Sequence, residues 1–355
     1  MSRFFSEKFA RLTPYVPGEQ PKQRKYIKLN TNESPFAPPA SVVAAMENAA
    51  KSAQLYSDPT CDLLVKKAAE TLGVKDTQVL PTNGSDEILN FAFMAFCDEN
   101  TPAVFPDITY GFYEVFAALH GVECKKIPLG EDFSVKISDY FHAGGTVFLA
   151  NPNAPTGLCL SLASVEEIVK NNPENVVVID EAYVDFGGES AVGLVDKYEN
   201  LLVTQTFSKS RSLAGARLGL GIGSESLIAD LNTLKYSTNP YNVNSMTLAA
   251  GVAALEEQTL FQQRCQAIIE NRAYTAGALK ALGFEVLDSK TNFLFVKSPE
   301  IGGEELYLKL KQRGILVRHF SGARIAQFNR VSVGTKEEMD AFLDAVREIL
   351  KEKRE

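Results

Sequence analysis

The sequence contains no tryptophan, only three histidines and only five cysteines in 355 residues. Cys61, Cys97, Cys124, Cys159 and Cys265 form no Cys-x-x-Cys pair. His120, His142 and His319 stand at no ligand spacing from them, which argues against a zinc site and against a disulfide framework. The cysteines read instead as small buried hydrophobes of a reducing compartment, and the expected location is the cytoplasm. No run approaches the ~18 apolar residues of a membrane helix, and Met1-Ser-Arg-Phe-Phe-Ser lacks the apolar core of a secretion signal. Positive charge is also short. A formal net charge of -8 disfavours nucleic acid or an anionic membrane as the main partner, so any anion must be held by a local site.

What is present is the composition of an ordinary globular protein, 45% hydrophobic and 23% charged, long enough for two packed units. After a proline-punctuated start, apolar strands alternate with helical stretches, the pattern of a mainly parallel sheet covered on both faces. Seven strands are predicted at 78–80, 103–105, 122–127, 146–150, 176–180, 201–206 and 218–222. Helices are expected over 41–50 with Ser41 as N-cap, 63–72 closing at Gly73, 86–97, 111–120, 164–170 and 225–234. A long helical region from about 245 to 282, broken near Gln258, bridges to a compact α+β unit. The fold class is therefore α/β: a large domain over 29–250 with a seven-stranded sheet, a smaller α+β domain over 251–355, and an arm over 1–28 that belongs with the smaller one.

Chemistry-bearing residues gather at the strand ends, where a doubly wound sheet opens its ligand crevice. The strand 201–206 runs into Thr206-Phe-Ser208-Lys209, with Arg217 following. A lysine here is either a solvated loop residue or one that forms a Schiff base with a carbonyl cofactor. The hydroxyls of Thr206 and Ser208 and the Arg217 guanidinium suit a phosphate, and together they suggest pyridoxal 5'-phosphate. Strand 176–180 ends in Asp180-Glu-Ala-Tyr183. A carboxylate at the end of an apolar strand is costly unless paired, and a protonated pyridine nitrogen is such a partner, with Tyr183 in reach of the ring hydroxyl. Gly84 and Ser85 open a helix whose free amides make an anion site, or simply cap it. Tyr110 follows the strand 103–105 and could stack on a flat ring or fill core. The loop Asn151-Pro-Asn153-Ala-Pro-Thr-Gly157 could hold an asparagine amide toward that ring. Arg318 follows the strand expected at 315–317 and Arg330 opens the next, so if the two strands pair both guanidiniums could meet one anion, or both could be surface arginines. Gly219-Leu-Gly221-Ile-Gly223 has the wrong spacing for a dinucleotide motif and reads as close strand packing.

In order and spacing, the motifs Pro14-Tyr-Val-Pro-Gly18, Leu29-Asn-Thr-Asn-Glu33, Tyr56-Ser-Asp-Pro59, Asn83-Gly-Ser-Asp-Glu87, Pro152-Asn-Ala-Pro-Thr-Gly157, Asp180-Glu-Ala-Tyr183, Phe207-Ser-Lys209, Arg217 and Arg330-Val-Ser-Val-Gly-Thr335 resemble the fold-type-I aminotransferases, and within them the histidinol-phosphate aminotransferases. The resemblance covers nearly the whole chain. It implies that Lys209 is the Schiff-base lysine and the proton carrier, with Asp180 on the pyridine nitrogen, Tyr183 on the ring oxygen and Tyr110 stacked on the ring. Gly84, Ser85, Ser208, Arg217 and Thr206 would hold the phosphate. Tyr56 would reach the partner subunit's site in a homodimer, and Tyr15, Asn32, Arg318 and Arg330 would face substrate. The implied reaction exchanges an amino group between histidinol phosphate and 2-oxoglutarate in histidine biosynthesis, with no metal.

The chain departs from the family where Ala154-Pro-Thr-Gly replaces Asn-Pro-Thr-Gly, which leaves the asparagine role to Asn153 or to no residue. Ser57, Ser34 and Ala37 are further variations. The rival enzyme readings are a threonine-phosphate decarboxylase and a broader aromatic aminotransferase. A transcription regulator would need a basic helix-turn-helix in the first thirty residues, and none is there. A Ser-Lys hydrolase is ruled out because Thr206 stands where its serine belongs.

Overall fold

A computed structural model describes residues 2–10, 12–21 and 24–355. Of the arm expected over 1–28, positions 1, 11, 22 and 23 lie outside the described residues. In chain order the main elements are β1 (Ile27–Lys28), α1 (Ala40–Ala50), α2 (Asp62–Leu72), β2 (Val79–Thr82), α3 (Ser85–Phe96), β3 (Ala103–Pro106), α4 (Phe112–His120) and β4 (Cys124–Ile127). There follow β5 (Thr146–Ala150), α5 (Leu162–Lys170), β6 (Val177–Asp180), β7 (Leu201–Thr206), β8 (Gly219–Gly223), α6 (Glu225–Thr238), α7 (Ser245–Glu256) and α8 (Gln258–Ala281). The chain finishes with β9 (Glu285–Val286), β10 (Phe293–Lys297), α9 (Gly303–Gln312), β11 (Ile315–Leu316), β12 (Arg318–His319), β13 (Phe328–Ser332) and α10 (Lys336–Arg354).

The large sheet has seven strands in the order β2-β8-β7-β6-β5-β3-β4. All neighbours from β7 to β4 are parallel, and β8 alone runs against its two neighbours. The central strands are buried along almost their whole length because helices cover both faces. At Gly219 a Cβ would stand 2.4 Å from the Ser85 amide nitrogen, so this glycine lets β8 lie directly against the start of α3.

Two local expectations are corrected. β4 begins at Cys124 rather than 122, and it is the edge strand, with Lys125 and Lys126 exposed. Ser41 does not cap α1. The helix starts after Pro39, and the Ser41 hydroxyl donates to Glu257, the residue that separates α7 from α8.

A second sheet, β12-β13-β10-β9, is antiparallel. It packs with α8, α9 and α10 around Phe293, Leu310, Phe342 and Ile349, all buried. The pairing the sequence did not suggest is β1 with β11, which ties Ile27 and Lys28 to Ile315 and Leu316. That pairing delivers residues 29–33 to the place where the two sheets face each other. Of the cysteines only Cys61 and Cys265 are fully buried, the others being half-buried, and all five are free.

Candidate active site

A cleft at the ends of β5, β6 and β7 has two lobes that meet at Lys209. The first, about 260 Å³, is bordered by Asp180, Tyr183, Thr206, Ser208 and Arg217. The second, about 640 Å³, is bordered by Tyr15, Asn32, Arg318, Phe320, Arg324 and Arg330. Thr31, Tyr110, Ala154, Tyr183 and Lys209 belong to both. The Lys209 ammonium stands 3.5 Å from the Thr31 carbonyl oxygen and 5.6 Å from the centre of the Tyr183 ring.

One end of the first lobe is a cradle of donors. Gly84 caps α3 at φ 79°, where a Cβ would come within 2.5 Å of the Arg217 Nη2, so the backbone can approach only because this residue is glycine. Ser85 and the unpaired amides of the first turn follow it. Thr206 Oγ1 donates to Ser208 Oγ at 3.0 Å, and Arg217 Nη1 donates to the same Ser208 oxygen at 3.4 Å. Arg217 is itself left-handed at φ 57° and pairs with Asp86 at 3.1 Å. Tyr110 donates to the other Asp86 oxygen at 2.8 Å. Asp86, to which the sequence reading gave no role, thus links the aromatic to the arginine.

The other end of the lobe is Asp180. It is 4% exposed and, among the described residues, makes no salt bridge, although the Lys209 charge across the lobe is felt there. Its Oδ1 accepts from the Ala182 amide at 3.2 Å and its Oδ2 from the Tyr113 hydroxyl at 3.1 Å. Burial pushes its ionisation up to about 6, against the pull of those two donors. A flat cation with a phosphate tail fits this arrangement: the cationic edge relieves the buried carboxylate, and the tail fills the cradle at Gly84. The donor set therefore fits pyridoxal phosphate.

Tyr183 is 9% exposed, and its hydroxyl accepts from Asn32 Nδ2 at 2.9 Å, which leaves its own proton free to donate. Asn32 is left-handed at φ 56° and is tied at its amide, carbonyl and side chain to Ser332, Asn292 and Tyr183. It borders the second lobe, but its side chain is spent on positioning Tyr183.

Arg330 and Arg318 stand directly opposite each other on β13 and β12, as the sequence suggested. They differ in availability. Arg330 is enclosed between Phe293 and Phe320, gives Nη2 to the Asn30 carbonyl, and keeps a buried Nε without a partner among the described residues. Arg318 spends both terminal nitrogens on the Val16 and Pro17 carbonyls and so holds the arm down. Tyr15 lies in that arm with its ring 4.4 Å from Phe112.

One residue expected at this chain's own cleft, Asn153, lies elsewhere, and Tyr56, expected at the partner subunit's site, stands on the surface. Asn153 does not border either lobe. Its side chain accepts from Thr109 and donates to Ile108 and Thr156, which locks the loop, and it faces a separate cavity beside Cys159. Ala154 takes the place at the lobe boundary instead. Tyr56 is 83% exposed, stacked on Tyr241 at 4.5 Å and remote from this chain's own cleft. Among the described residues no cluster could hold a metal ion, and no helix is long and apolar enough to cross a membrane.

Residues 24–346 match the family model for aminotransferase class I and II. The chain is 48% identical to the histidinol-phosphate aminotransferase of Brachyspira hyodysenteriae, over 99% of this chain and 100% of that one. It is 49% identical to histidinol-phosphate aminotransferase 2 of Dechloromonas aromatica, over 98% and 99%. Its fold is that of the crystal structure of histidinol-phosphate aminotransferase from Sinorhizobium meliloti in complex with pyridoxal-5'-phosphate, with a TM-score of 0.90, 24% identity and 99% of each chain covered.

Proposed function

The chain belongs to the class I and II aminotransferases, and on that premise we propose that it exchanges an amino group between histidinol phosphate and 2-oxoglutarate, with pyridoxal phosphate in the first lobe and substrate in the second. The observation that carries this reading is that Lys209 supplies the one amine among the described residues that border both lobes. A cofactor carbonyl in one lobe and an amino group in the other would both be within reach of one amine.

When bound, pyridoxal phosphate supplies a carbonyl to receive the amino group and an electron-withdrawing ring. The chain's residues do the rest. Asp180, as an anion, would pair with the ring nitrogen and favour its protonated form. The free proton of the Tyr183 hydroxyl is available to the ring oxygen. Ser85, Ser208 and Arg217 would hold the phosphate, and Tyr110 would cover the ring. Lys209 Nζ would serve as the base that takes the proton from the substrate carbon and later returns it.

Substrate orientation falls to Arg330. Its unpartnered buried Nε and free Nη1 can accept either a phosphate or a carboxylate, which is what a site for both histidinol phosphate and glutamate requires. Arg318 joins it if the arm's carbonyls give up its guanidinium. The relatives named above support the choice of histidinol phosphate over threonine phosphate.

The proposal extends to a homodimer and to the cytoplasm. Support for the dimer is the exposure of the large apolar side chains Leu55, Tyr56, Leu63, Tyr236 and Tyr241, of which Tyr56 and Tyr241 stack on each other, and Tyr56 would enter the partner's site. The cytoplasmic location rests on the cysteine usage. We assign residues 29–250 and 251–355 to the two domains and the preceding arm to the smaller, a division supported by the two sheets and by the tie between β1 and β11.

The test is the visible spectrum of the cofactor-loaded protein mixed with histidinol phosphate and no keto acid. Bleaching of the Schiff-base band is expected. A spectrum that ignores histidinol phosphate but responds to threonine phosphate with release of carbon dioxide would overturn the assignment.

A further inference from the structure

We propose that Tyr113 is a positioning residue for the cofactor site: its hydroxyl, donated from the core side of the sheet, holds Asp180 ionised and aimed at the ring nitrogen. The inference rests on the pyridoxal phosphate reading above.

Tyr113 sits in the first turn of α4 and is completely buried. Among the described residues its hydroxyl has one partner, the Asp180 Oδ2. Asp180 borders the first lobe and Tyr113 does not, so the hydroxyl reaches the carboxylate from behind, opposite the side a ligand would occupy. The tyrosine ring is wedged between Phe105 and Phe148 at 5.7 and 5.8 Å and meets Tyr110 edge-on at 5.7 Å. The core therefore dictates where the hydroxyl points, and the hydroxyl dictates where the carboxylate points.

An acid this deeply buried turns neutral unless donors hold its charge, and a neutral Asp180 could not keep a proton on a pyridine nitrogen. The donor must also stay protonated at every working pH. Burial and the Asp180 charge push the Tyr113 ionisation well above its ordinary value, so this hydroxyl donates throughout, where a histidine would titrate. The same short segment serves the opposite end of the lobe, because Tyr110 donates to Asp86 and Asp86 holds Arg217. One turn of chain thus orients the groups at both ends of the proposed cofactor.

The experiment is titration of cofactor-stripped full-length protein with pyridoxal phosphate, followed by absorbance, for wild type, Tyr113→Phe, Asp180→Asn and the double variant. Tyr113→Phe keeps the ring and removes only the donor. It is expected to weaken binding about tenfold or more, the usual worth of a hydrogen bond to a charged group. It should also raise the pH at which the Asp180 carboxyl, read by carbon-13 NMR, ionises. In the Asp180→Asn background the further loss should vanish, since the hydroxyl then has no anion to hold. Equal weakening in both backgrounds would mean a general packing role and would overturn the proposal, as would unchanged binding by Tyr113→Phe. If Tyr113→Phe does not fold, 3-fluorotyrosine at position 113, a more acidic donor of nearly the same shape, must lower the Asp180 ionisation, and no change there overturns the idea. Wild-type protein that fails to bind pyridoxal phosphate at all removes the functional reading itself, a result distinct from each of these.

Discussion

The two lobes of the cleft are built on opposite plans. In the first, the groups that would hold phosphate are close in sequence: Thr206, Ser208 and Arg217 lie on one strand-loop-strand passage, and Gly84 and Ser85 open one helix. In the second, the walls come from segments far apart. Arg330 bonds the Asn30 carbonyl 300 residues away, and Arg318 bonds Val16 at a separation of 302. A third long-range tie, Arg324 to Asp107 at 3.0 Å with further bonds to the Leu129 and Gly130 carbonyls, pins the loop between β12 and β13 onto the large sheet. The lobe proposed for the cofactor is thus rooted at the ends of central strands of one sheet, whereas the lobe proposed for substrate is walled by both sheets and the arm.

Breaking the junction itself should have the largest effect. Lys209→Ala, which removes the one amine shared by both lobes, is expected to lower turnover by about a thousandfold or more in a steady-state assay. Normal multiple turnover by this variant would falsify the central assignment.

The next effect isolates the first lobe. The folded-state ionisation of Asp180 is raised to about 6 from an ordinary 3.8 in the cofactor-free chain. Between those values the folded chain keeps a proton that the unfolded chain has released, so stability falls as pH rises through this window. The stability of wild type relative to Asp180→Asn should therefore decline from pH 4 to pH 6, by on the order of 3 kcal/mol, as read from urea unfolding at each pH. Saturating pyridoxal phosphate should remove the decline. Its neighbour Glu181, raised to about 7 by the same burial, faces Ser190 and Gln205 rather than the cleft; its effect cancels in that difference and should persist, with or without the cofactor, in the pH dependence of each protein alone.

Paired arginine variants sharpen the contrast between lobes. Arg217→Ala should weaken pyridoxal phosphate binding roughly tenfold to a hundredfold, while Arg330→Ala should leave it within about threefold and raise KM for histidinol phosphate by at least about tenfold. Fluorescence titration and initial rates separate the two. If both variants lost cofactor alone, the division of labour would be wrong.

The smallest effect belongs to the clasp. Arg324→Ala removes a half-exposed ion pair worth no more than about 1 kcal/mol, so the unfolding midpoint should barely move. Any change should appear in KM rather than in cofactor affinity.

The order of elements was largely legible from residue pattern. Of the five central strands of the large sheet, β3, β5, β6 and β7 carry continuous apolar runs, and glycines such as Gly73 close helices in the left-handed conformation. β4 was read two residues too long because an edge strand needs no apolar boundary. β1 was missed because two residues that find their partner near position 315 have no local signature. Asn153 illustrates a subtler failure. The loop motif put an asparagine near the ring, but only the folded loop shows its amide consumed by Thr109, Ile108 and Thr156.

Sequence by itself determined the family, the candidate lysine and the acid at the strand end, because such groups are set by short-range spacing along a strand and its loop. Tertiary structure alone decided which of them are free to act. Arg330 keeps an unpartnered nitrogen while Arg318 is engaged by the arm, Asn32 serves Tyr183, and Tyr113 stands behind Asp180. The reason is that a polar group's availability depends on what else has satisfied it, and in a buried site those partners arrive from anywhere in the chain.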